Sequence, residues 1–512
     1  MPIRQYGLGI FGVDYAAPPI NLQAGMLADA QNCIVNDSGY VTGRGGLTYL
    51  NTTPLASRVT SLHEFRSGST RYTLGSYGEA IVCYNPATGV FDDEITGLTD
   101  GKHLQWVNFA GKAICVNEGS DAPQYFTNTT THGALAGSPT NGLTIAEWAQ
   151  RVWLGGDSTN VALLTGCKLN DPTDWTDSTA KTGIVQIYVG DTNDPITGIF
   201  PFFDMLLVGK RNAIYQVSGE TPTDSSTLSC VPIYTKDSDS TGFTSPWAIT
   251  QVGNDVIYLD GFDIKRLSGI QEYGDVETTS VIPQFKDYLK DTVSSDYLKY
   301  AQFFHYKQRQ QIWCTIPKTA TTHFVFCLDY KFYDFTKRFS FFPMYNLETV
   351  AITGVENGTV LDMYFADEDG YVSQYSEAVN SDNGSAIDRF FVEMISGNSA
   401  EDNMMYGHEK RKGFLKSETY IKNTQTNLTM TPYYALNLFD SEQVRTSGNY
   451  TAMTAETVSS WAGTGTKKKK IRFYGLAGNT MALKWRQNAI SQNFIMFPSE
   501  IHYEWKSNIN IV

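Results

Sequence analysis

Residues 249–259, ITQVGNDVIYL, consist of an apolar strand, a Gly-Asn-Asp turn and a second apolar strand. β-Branched and aromatic residues favour strands, and a short glycine-containing turn between two such runs predicts a β-hairpin. The unit recurs six more times, with turns 43 to 54 residues apart. The other units are 62–74, 106–116, 151–164, 199–208, 303–316 and 350–365, of which the last is the weakest.

A period of 40–50 residues with several strands per unit is typical of β-propeller blades. Most units continue into a further strand after a second turn, such as residues 213–217 and 370–375. We therefore expect an all-β fold in which residues 51–385 form a propeller of six or seven blades. Unrelated hairpins in β-sandwiches are the alternative.

The flanking segments lack this repeat. Residues 1–50 are predicted to form an N-terminal docking arm, helical near 25–30 and extended near 33–41. Residues 386–512 alternate apolar and polar side chains, which predicts a C-terminal antiparallel β domain. An amphipathic helix is expected within 282–302. Polar stretches at 127–142 and 440–468 are predicted to be surface loops, and loops of that length in compact domains are often functional or mobile.

Composition and charge support the same fold class and limit the function. The 512 residues include 30 Tyr and 28 Phe, are 41% hydrophobic and only 18% charged, as expected of β-rich chains. A formal net charge of −14 disfavours sequence-specific binding of nucleic acid, which requires a basic face. It is compatible with a wall along which DNA slides.

Cysteine usage indicates synthesis in a reducing cytoplasm. The seven cysteines are odd in number, widely spaced and without a C-x-x-C motif, so we expect buried thiols rather than disulfides or zinc ligands. The first residues lack the apolar core of a signal peptide, and the sequence contains no run long enough to span a membrane.

Several ordered segments resemble the tail nozzle and packaged-DNA stabilisation proteins of short-tailed (podovirus-type) phages. The resemblance extends loosely over most of the chain and is in register with the repeat. A departure is Gly46, which stands where a Pro-Gly pair is often seen. The segments are 29–35 with Gly39 and 44–46, the Arg-x-Trp and Pro-x-x-Trp pair of 149–154 and 170–175, 196–199 with 206–210 and 214–215, 469–475, and the closing hairpin 494–505.

The resemblance implies a structural tail protein rather than an enzyme. It implies a homo-oligomeric ring, a hexamer where known, docked to a portal adaptor protein in the virion tail and contacting tail fibre or tail needle proteins. Such a nozzle closes the portal channel, retains packaged double-stranded DNA and conducts it during genome ejection. A receptor- or carbohydrate-binding propeller of a virion or bacterial surface is the alternative.

The sequence predicts no catalytic, cofactor-binding or metal-binding residue. It contains no G-x-S-x-G, H-E-x-x-H or P-loop motif, and its seven histidines are scattered. A propeller glycosidase would need two facing carboxylates, for which Glu64, Asp255, Asp260 and Asp362 are candidates. Turn-capping aspartates are common in propellers, which favours a structural role for these acids.

The only dense basic run is residues 467–470, four consecutive lysines. It could contact phosphates or an acidic subunit, but a solvated loop leading into a strand is the simpler interpretation. We expect it on the outer surface or in a subunit contact. A second cluster, 408–412, has mixed charge and is predicted to be interfacial.

Overall fold

The computed structural model describes residues 3–5, 9–23, 25–137, 139–176, 183–219, 227–233, 241–272, 275–395, 412–425, 427–458 and 463–505. The charged cluster predicted at 408–412 therefore lies almost entirely outside the described residues.

The N-terminal segment contributes strands to three different sheets. A single 3-10 turn, Pro19–Asn21, precedes most of them. The strands are β1 (Ile3–Gln5), β2 (Asp29–Gln31), β3 (Cys33–Val35), β4 (Val41–Gly43) and β5 (Gly46–Tyr49).

Six four-stranded antiparallel sheets and a seventh sheet of six strands follow, and we number them blades 1 to 7. Blade 1 is β6 (Val59–Ser67), β7 (Thr70–Tyr77), β8 (Ala80–Asn85) and β9 (Val90–Ile95); blade 2 is β10 (Gln105–Phe109), β11 (Lys112–Val116), β12 (Gln124–Asn128) and β13 (Thr131–Ala134). Blade 3 is β14 (Thr144–Trp148), β15 (Arg151–Gly155), β16 (Leu163–Gly166) and β17 (Val185–Tyr188); blade 4 is β18 (Gly198–Phe202), β19 (Met205–Gly209), β20 (Ile214–Ser218) and β21 (Ser229–Pro232). Blade 5 is β22 (Ile249–Val252), β23 (Asp255–Asp260), β24 (Asp263–Glu272) and β25 (Asp275–Ser280). Blade 6 is β26 (Gln302–Tyr306), β27 (Gln311–Pro317), β28 (His323–Asp329) and β29 (Ser340–Met344).

Blade 7 closes the propeller by combining the two ends of the repeat region. Its first three strands are β30 (Ala351–Asn357), β31 (Val360–Ala366) and β32 (Val372–Ser376), and its fourth is β5 from the N-terminal segment. Two short strands, β33 (Ser381–Asp382) and β34 (Ser385–Ala386), extend this sheet. The first strand of blade 7 packs beside the first strand of blade 1. The expected all-β propeller is confirmed, with seven blades.

Six of the seven predicted hairpins join the first and second strands of a blade, which we call its inner hairpin. The third predicted hairpin does not. Residues 151–164 join the second and third strands of blade 3. The inner hairpin is β14–β15, which turns at Ala149 and Gln150 with Trp148 paired to Arg151. Both turn residues have positive φ, 49° and 61°. A two-residue turn of this kind normally carries Asn-Gly, so Ala-Gln gave no turn signal.

The C-terminal domain consists of two facing sheets, each completed by N-terminal strands. Its own strands are β35 (Arg389–Ile395), β36 (Lys412–Asn423), β37 (Thr431–Leu436), β38 (Thr451–Ala452), β39 (Gly465–Arg472), β40 (Ala477–Gly478), β41 (Met481–Gln487) and β42 (Phe494–Trp505). One sheet has the order β3-β4-β42-β36-β39, with β1 on β42 and β40 on β36, and the other has the order β2-β35-β41-β37-β38.

Three local predictions differ from the structure. Residues 25–30, expected to be helical, lead directly into β2, because Asp29 and Ala30 pair with β35. The predicted loop 127–142 begins as the β12–β13 hairpin. The predicted loop 440–468 contains helix α3 (Ser441–Arg445), short 3-10 turns, β38 and the start of β39. Exposed strands and short helices rich in Thr, Ser and Asn lack apolar alternation, so the sequence pattern does not reveal them.

The helix expected within 282–302 is present but shorter. It comprises α1 (Lys286–Thr292) and a 3-10 turn, Ser295–Tyr300, and it links blade 5 to blade 6. Another helix, α2 (Tyr333–Thr336), joins β28 to β29. Phe285, just before α1, stacks on Phe341 of blade 6 with ring centroids 3.7 Å apart. The largest hydrophobic core runs from here through blade 6 into the C-terminal domain.

Candidate functional site: the propeller axis and two charged sheet edges

The axis of the propeller is occupied by side chains at one face. Trp247 leads into blade 5 and donates its indole N–H to the carbonyl of Leu104, which leads into blade 2, at 3.0 Å. Blades 2 and 5 lie on opposite sides of a seven-bladed ring. The bond therefore crosses the ring, and among the described residues it obstructs the axis at this face.

His103 and Tyr300 complete this plug. The His103 ring stacks on Tyr300 with centroids 4.5 Å apart and lies 5.7 Å from the ring of Trp247. Burial, assisted by the positive charges of Arg58 and Lys299 and by His323, lowers the pKa of His103 to about 3. The ring is therefore neutral at physiological pH and acts as a packing element of the axis.

The carboxylates considered for glycosidase chemistry lie on three different blades. Glu64 of blade 1 pairs with Arg71 at 3.1 Å, and Asp260 of blade 5 pairs with Lys265 at 2.7 Å. Asp255 lies 3.7 Å from Arg266. Asp362 accepts from the amide of Asn357 at 3.2 Å. Each acid is paired with a basic side chain or hydrogen-bonded within its own blade. These contacts stabilise the blades.

Among the described residues, one group of three His and acidic side chains lies close together. His502 lies with Glu418 and Glu500 on neighbouring strands, with ligand-capable atoms within 4.8 Å of one another. Lys416 binds Glu418 at 2.5 Å, and Lys468 also contacts it. A divalent cation would have to displace these ammonium groups from the carboxylate, so we assign no metal to this cluster.

The lysine run 467–470 lies in strand β39 rather than in a loop. β39 pairs with β36 and forms one edge of its sheet. Lys468 and Lys470 share a face and are about 45% exposed. Lys469 pairs with Glu456 at 3.2 Å. Lysines keep an edge strand soluble, and here they also concentrate positive charge on a chain of net charge −14.

An edge of opposite charge lies in blade 1. Its outer strand, β9, carries Asp92, Asp93 and Glu94 in succession, and the first two are exposed. Residues 79–100 contain five acidic residues and no Lys or Arg. Asp92 and Asp93 accept from Asn85 and Tyr77, which leaves their negative charges uncompensated within these contacts.

The N-terminal residues that carry the family resemblance form the junction between the propeller and the C-terminal domain. Asn32, in a left-handed conformation, accepts from Arg44 Nε at 3.0 Å and donates to the carbonyl of Asp388 at 2.9 Å. Gly46 lies so close to Ser381 that a Cβ would be 2.2 Å from its carbonyl oxygen.

The Arg-x-Trp and Pro-x-x-Trp motifs lie together in blade 3. Arg151 is fully buried and donates to the carbonyls of Cys167 and Gly183. Trp153 donates to the carbonyl of Trp148 at 2.9 Å, and Trp175 to that of Pro172 at 2.8 Å. All of these donors serve backbone carbonyls, so the motif stabilises the blade.

The largest of the described pockets, about 680 Å³, lies between the N-terminal segment, blade 5 and blade 6. Asp14, Arg266, Tyr333 and Arg338 are among its lining residues. Arg266 donates to the Tyr333 hydroxyl and stacks over its ring. The pocket combines an aromatic face with charged groups.

Comparisons with known proteins found similar solved structures, but no similar family or curated sequence. No family model matches the chain, and no curated protein matches it. The N-terminal domain of Nup159 is 8% identical, with a TM-score of 0.39, over 68% of this chain and 98% of that domain. The Cps50 (Swd1) β-propeller domain of Myceliophteria thermophila is 10% identical, with a TM-score of 0.42, over 65% of this chain and 99% of that one.

Among the described residues, no helix is both long and apolar enough to cross a lipid bilayer.

Proposed function

We propose that this chain is the nozzle subunit of a short-tailed phage tail, a structural protein that closes the portal channel, retains packaged DNA and conducts it at ejection. The observation that carries the proposal is the role of the residues that resemble the nozzle family. Asn32, Arg44 and Gly46 join the propeller to the C-terminal domain, while Arg151 and Trp175 stabilise blade 3. The shared residues maintain an architecture, as expected of a family defined by assembly.

The plugged axis supports a specific route for DNA. Because Trp247 and Leu104 bond across the propeller, a duplex has no path through a single subunit. The channel must then lie between subunits, in a ring whose members contact each other through different surfaces. The proposed assembly is a hexamer that docks to the portal adaptor and to tail fibre or needle proteins, made in the host cytoplasm and located in the virion tail.

The first test of this function is the solution mass of the purified chain. Sedimentation velocity should show a closed ring, expected to contain six copies of the 56.9 kDa chain, and negative-stain images should show an axial opening between subunits. A monomer at every concentration would contradict the proposal.

A second test uses particles assembled without this chain. Their heads should fill with DNA and then lose it, measured as nuclease-sensitive DNA after purification. Adding the wild-type chain back should restore retention. Particles that keep their DNA without this chain would contradict the role in retention.

The alternative function, binding of a carbohydrate receptor, is favoured by the pocket between blades 5 and 6. Tyr333 supplies an aromatic face, and Asp14 and Arg266 supply hydrogen-bonding groups, which is the chemistry that recognises sugars. Glycan-array binding that is lost in Tyr333→Ala would support this function. The absence of binding to any glycan would leave the nozzle as the sole proposal.

A further inference from the structure

The two charged edges described above lie on different sheets of the chain. The lysine edge is strand β39 in the C-terminal domain, and the acidic edge is strand β9 in blade 1. We infer that the lysine edge of one copy docks on the acidic edge of a second copy, and that this contact joins neighbouring subunits. The inference rests on the proposed ring and names the surfaces that build it.

The charges of the two strands are complementary on both faces. Residues 467–472 contain five basic and no acidic residues, whereas residues 92–94 are all acidic. In a strand, alternate residues point to the same face, so Lys468 and Lys470 can meet the exposed Asp92 on one face. Glu94 lies at an irregularity in the β8–β9 register, with its side chain only 8% exposed and close to His132, so it adds negative charge to the edge without offering a direct contact. The other face of the acidic edge presents Asp93 to the opposite face of the lysine edge. The charge pattern therefore suits strands lying side by side.

The acids already near the lysines do not cancel their charge. Glu418 forms ion pairs with Lys416, Lys468 and Lys470, and Glu456 pairs with Lys469. With Glu500, which also lies near Lys468, three carboxylates face the six basic residues Lys416, Lys467, Lys468, Lys469, Lys470 and Arg472, so the edge keeps a net positive charge. At the acidic edge, Glu94 contacts His132 at 3.3 Å, while Asp92 and Asp93 are bonded to neutral side chains.

The overall charge explains why such a contact needs to be local. Copies with a net charge of −14 repel each other, and at physiological ionic strength screening confines this repulsion to separations of about 8 Å. A small complementary patch then decides which surfaces come together. Because the two edges differ, the contact is heterologous, and repeating it around an axis generates a ring.

The experiment is a charge reversal read by sedimentation velocity at 0.15 M salt. Lys468→Glu/Lys470→Glu alters the lysine edge, and Asp92→Lys/Asp93→Lys alters the acidic edge. Each double variant alone should weaken ring formation at least tenfold in dissociation constant. The chain carrying all four changes should form rings again. An equimolar mixture of the two double variants should do the same, because each reversed edge then meets an oppositely charged one.

Two controls isolate the effect of the contact. Lys290→Glu/Asp291→Lys places the same kinds of change on exposed residues in α1 and should leave the ring intact. Since Lys468→Glu places like charge beside Glu418, the neutral pair Lys468→Gln/Lys470→Gln keeps Lys416 on that carboxylate and should still weaken the ring. Far-UV circular dichroism checks the fold of every variant.

The outcomes separate this contact from the proposed function. If the wild type forms rings and both double variants form them equally well, the contact is overturned and the nozzle function is not. The same holds if the chain carrying all four changes fails to form rings again. Variants of the lysine edge that keep their rings but aggregate would show that these lysines only protect the edge. A wild-type chain that never forms a ring would overturn both.

Discussion

Arg44 and Asp382 form a bidentate ion pair, with Nη1 donating to Oδ1 at 2.9 Å and Nη2 to Oδ2 at 2.5 Å. Arg44 is fully buried, and the side chain of Asp382 is only 20% exposed. Arg44 precedes strand β5, which closes the propeller, and Asp382 lies in β33, just after the last propeller strand. The pair therefore fixes the two crossings of the chain between the propeller and the C-terminal domain.

Arg44→Ala should lower the free energy of unfolding by about 3–5 kcal/mol, because it leaves Asp382 without its partner and removes one of the two donors to Asn32 Oδ1. Urea denaturation measures the change. Arg66→Ala is the matched control: Arg66 is 48% exposed and pairs with Glu64 and Glu356, so the loss should be no more than about 1 kcal/mol. Equal effects for the two variants would contradict the role assigned to Arg44.

The turn of blade 3 offers a stabilising change. Ala149 and Gln150 both adopt positive φ, which costs roughly 1–2 kcal/mol for a residue with a Cβ. Ala149→Asn/Gln150→Gly supplies the residues that such a turn prefers and should raise the free energy of unfolding by about 1 kcal/mol. The same substitutions at Lys307 and Gln308, where φ is not positive, should not stabilise. A loss of stability in blade 3 would show that the native turn is not strained.

This turn also shows which parts of the fold the sequence predicts and which it does not. Strongly apolar strands joined by glycine turns, such as those at Gly253 and Gly358, revealed the repeat and the propeller. Blade 3 was misplaced because Ala-Gln carries no turn signal. The fourth strand of blade 7, β5, was assigned to the arm because local periodicity does not encode which distant strand it pairs with.

The candidate contact between copies was only half visible in the sequence. The lysines at 467–470 were evident, but their exposed polar alternation resembled a loop, and pairing with β36 is a long-range property. Short acidic runs are common, so the sequence alone does not distinguish Asp92 and Asp93 as an edge. Only the topology shows that both runs lie at sheet edges.

His103 should make the propeller sensitive to acid. Its pKa in the folded chain is about 3, below the ordinary value of 6.5, so only the unfolded chain binds this proton between those pH values. Stability is therefore lost as the pH falls from about 6.5 towards 3. His103→Phe retains the packing against Tyr300 but cannot be protonated, and it should unfold at lower pH than the wild type by circular dichroism. Identical acid transitions would show that His103 does not contribute.

Glu393 should have the opposite dependence, at neutral and alkaline pH. It is 6% exposed, in strand β35, and the hydroxyl of Ser499 on strand β42 is the side chain that favours its ionised form. Burial raises the pKa of its carboxyl from 4.5 to about 8. Between these values the folded chain keeps a proton that the unfolded chain has released, so stability falls as the pH rises.

Glu393→Gln is neutral at every pH and nearly isosteric, so it isolates this contribution. Urea denaturation at pH 5, 7 and 9 should show the wild type losing stability relative to the variant from pH 5 to 7 and less from pH 7 to 9, because above about pH 8 Glu393 is ionised in both states. The slope should approach about 1.4 kcal/mol per pH unit in the middle of that window, where one proton separates the two states. A stability difference that stays constant from pH 5 to 9 would mean that Glu393 is already ionised in the folded chain and reaches solvent or a cation.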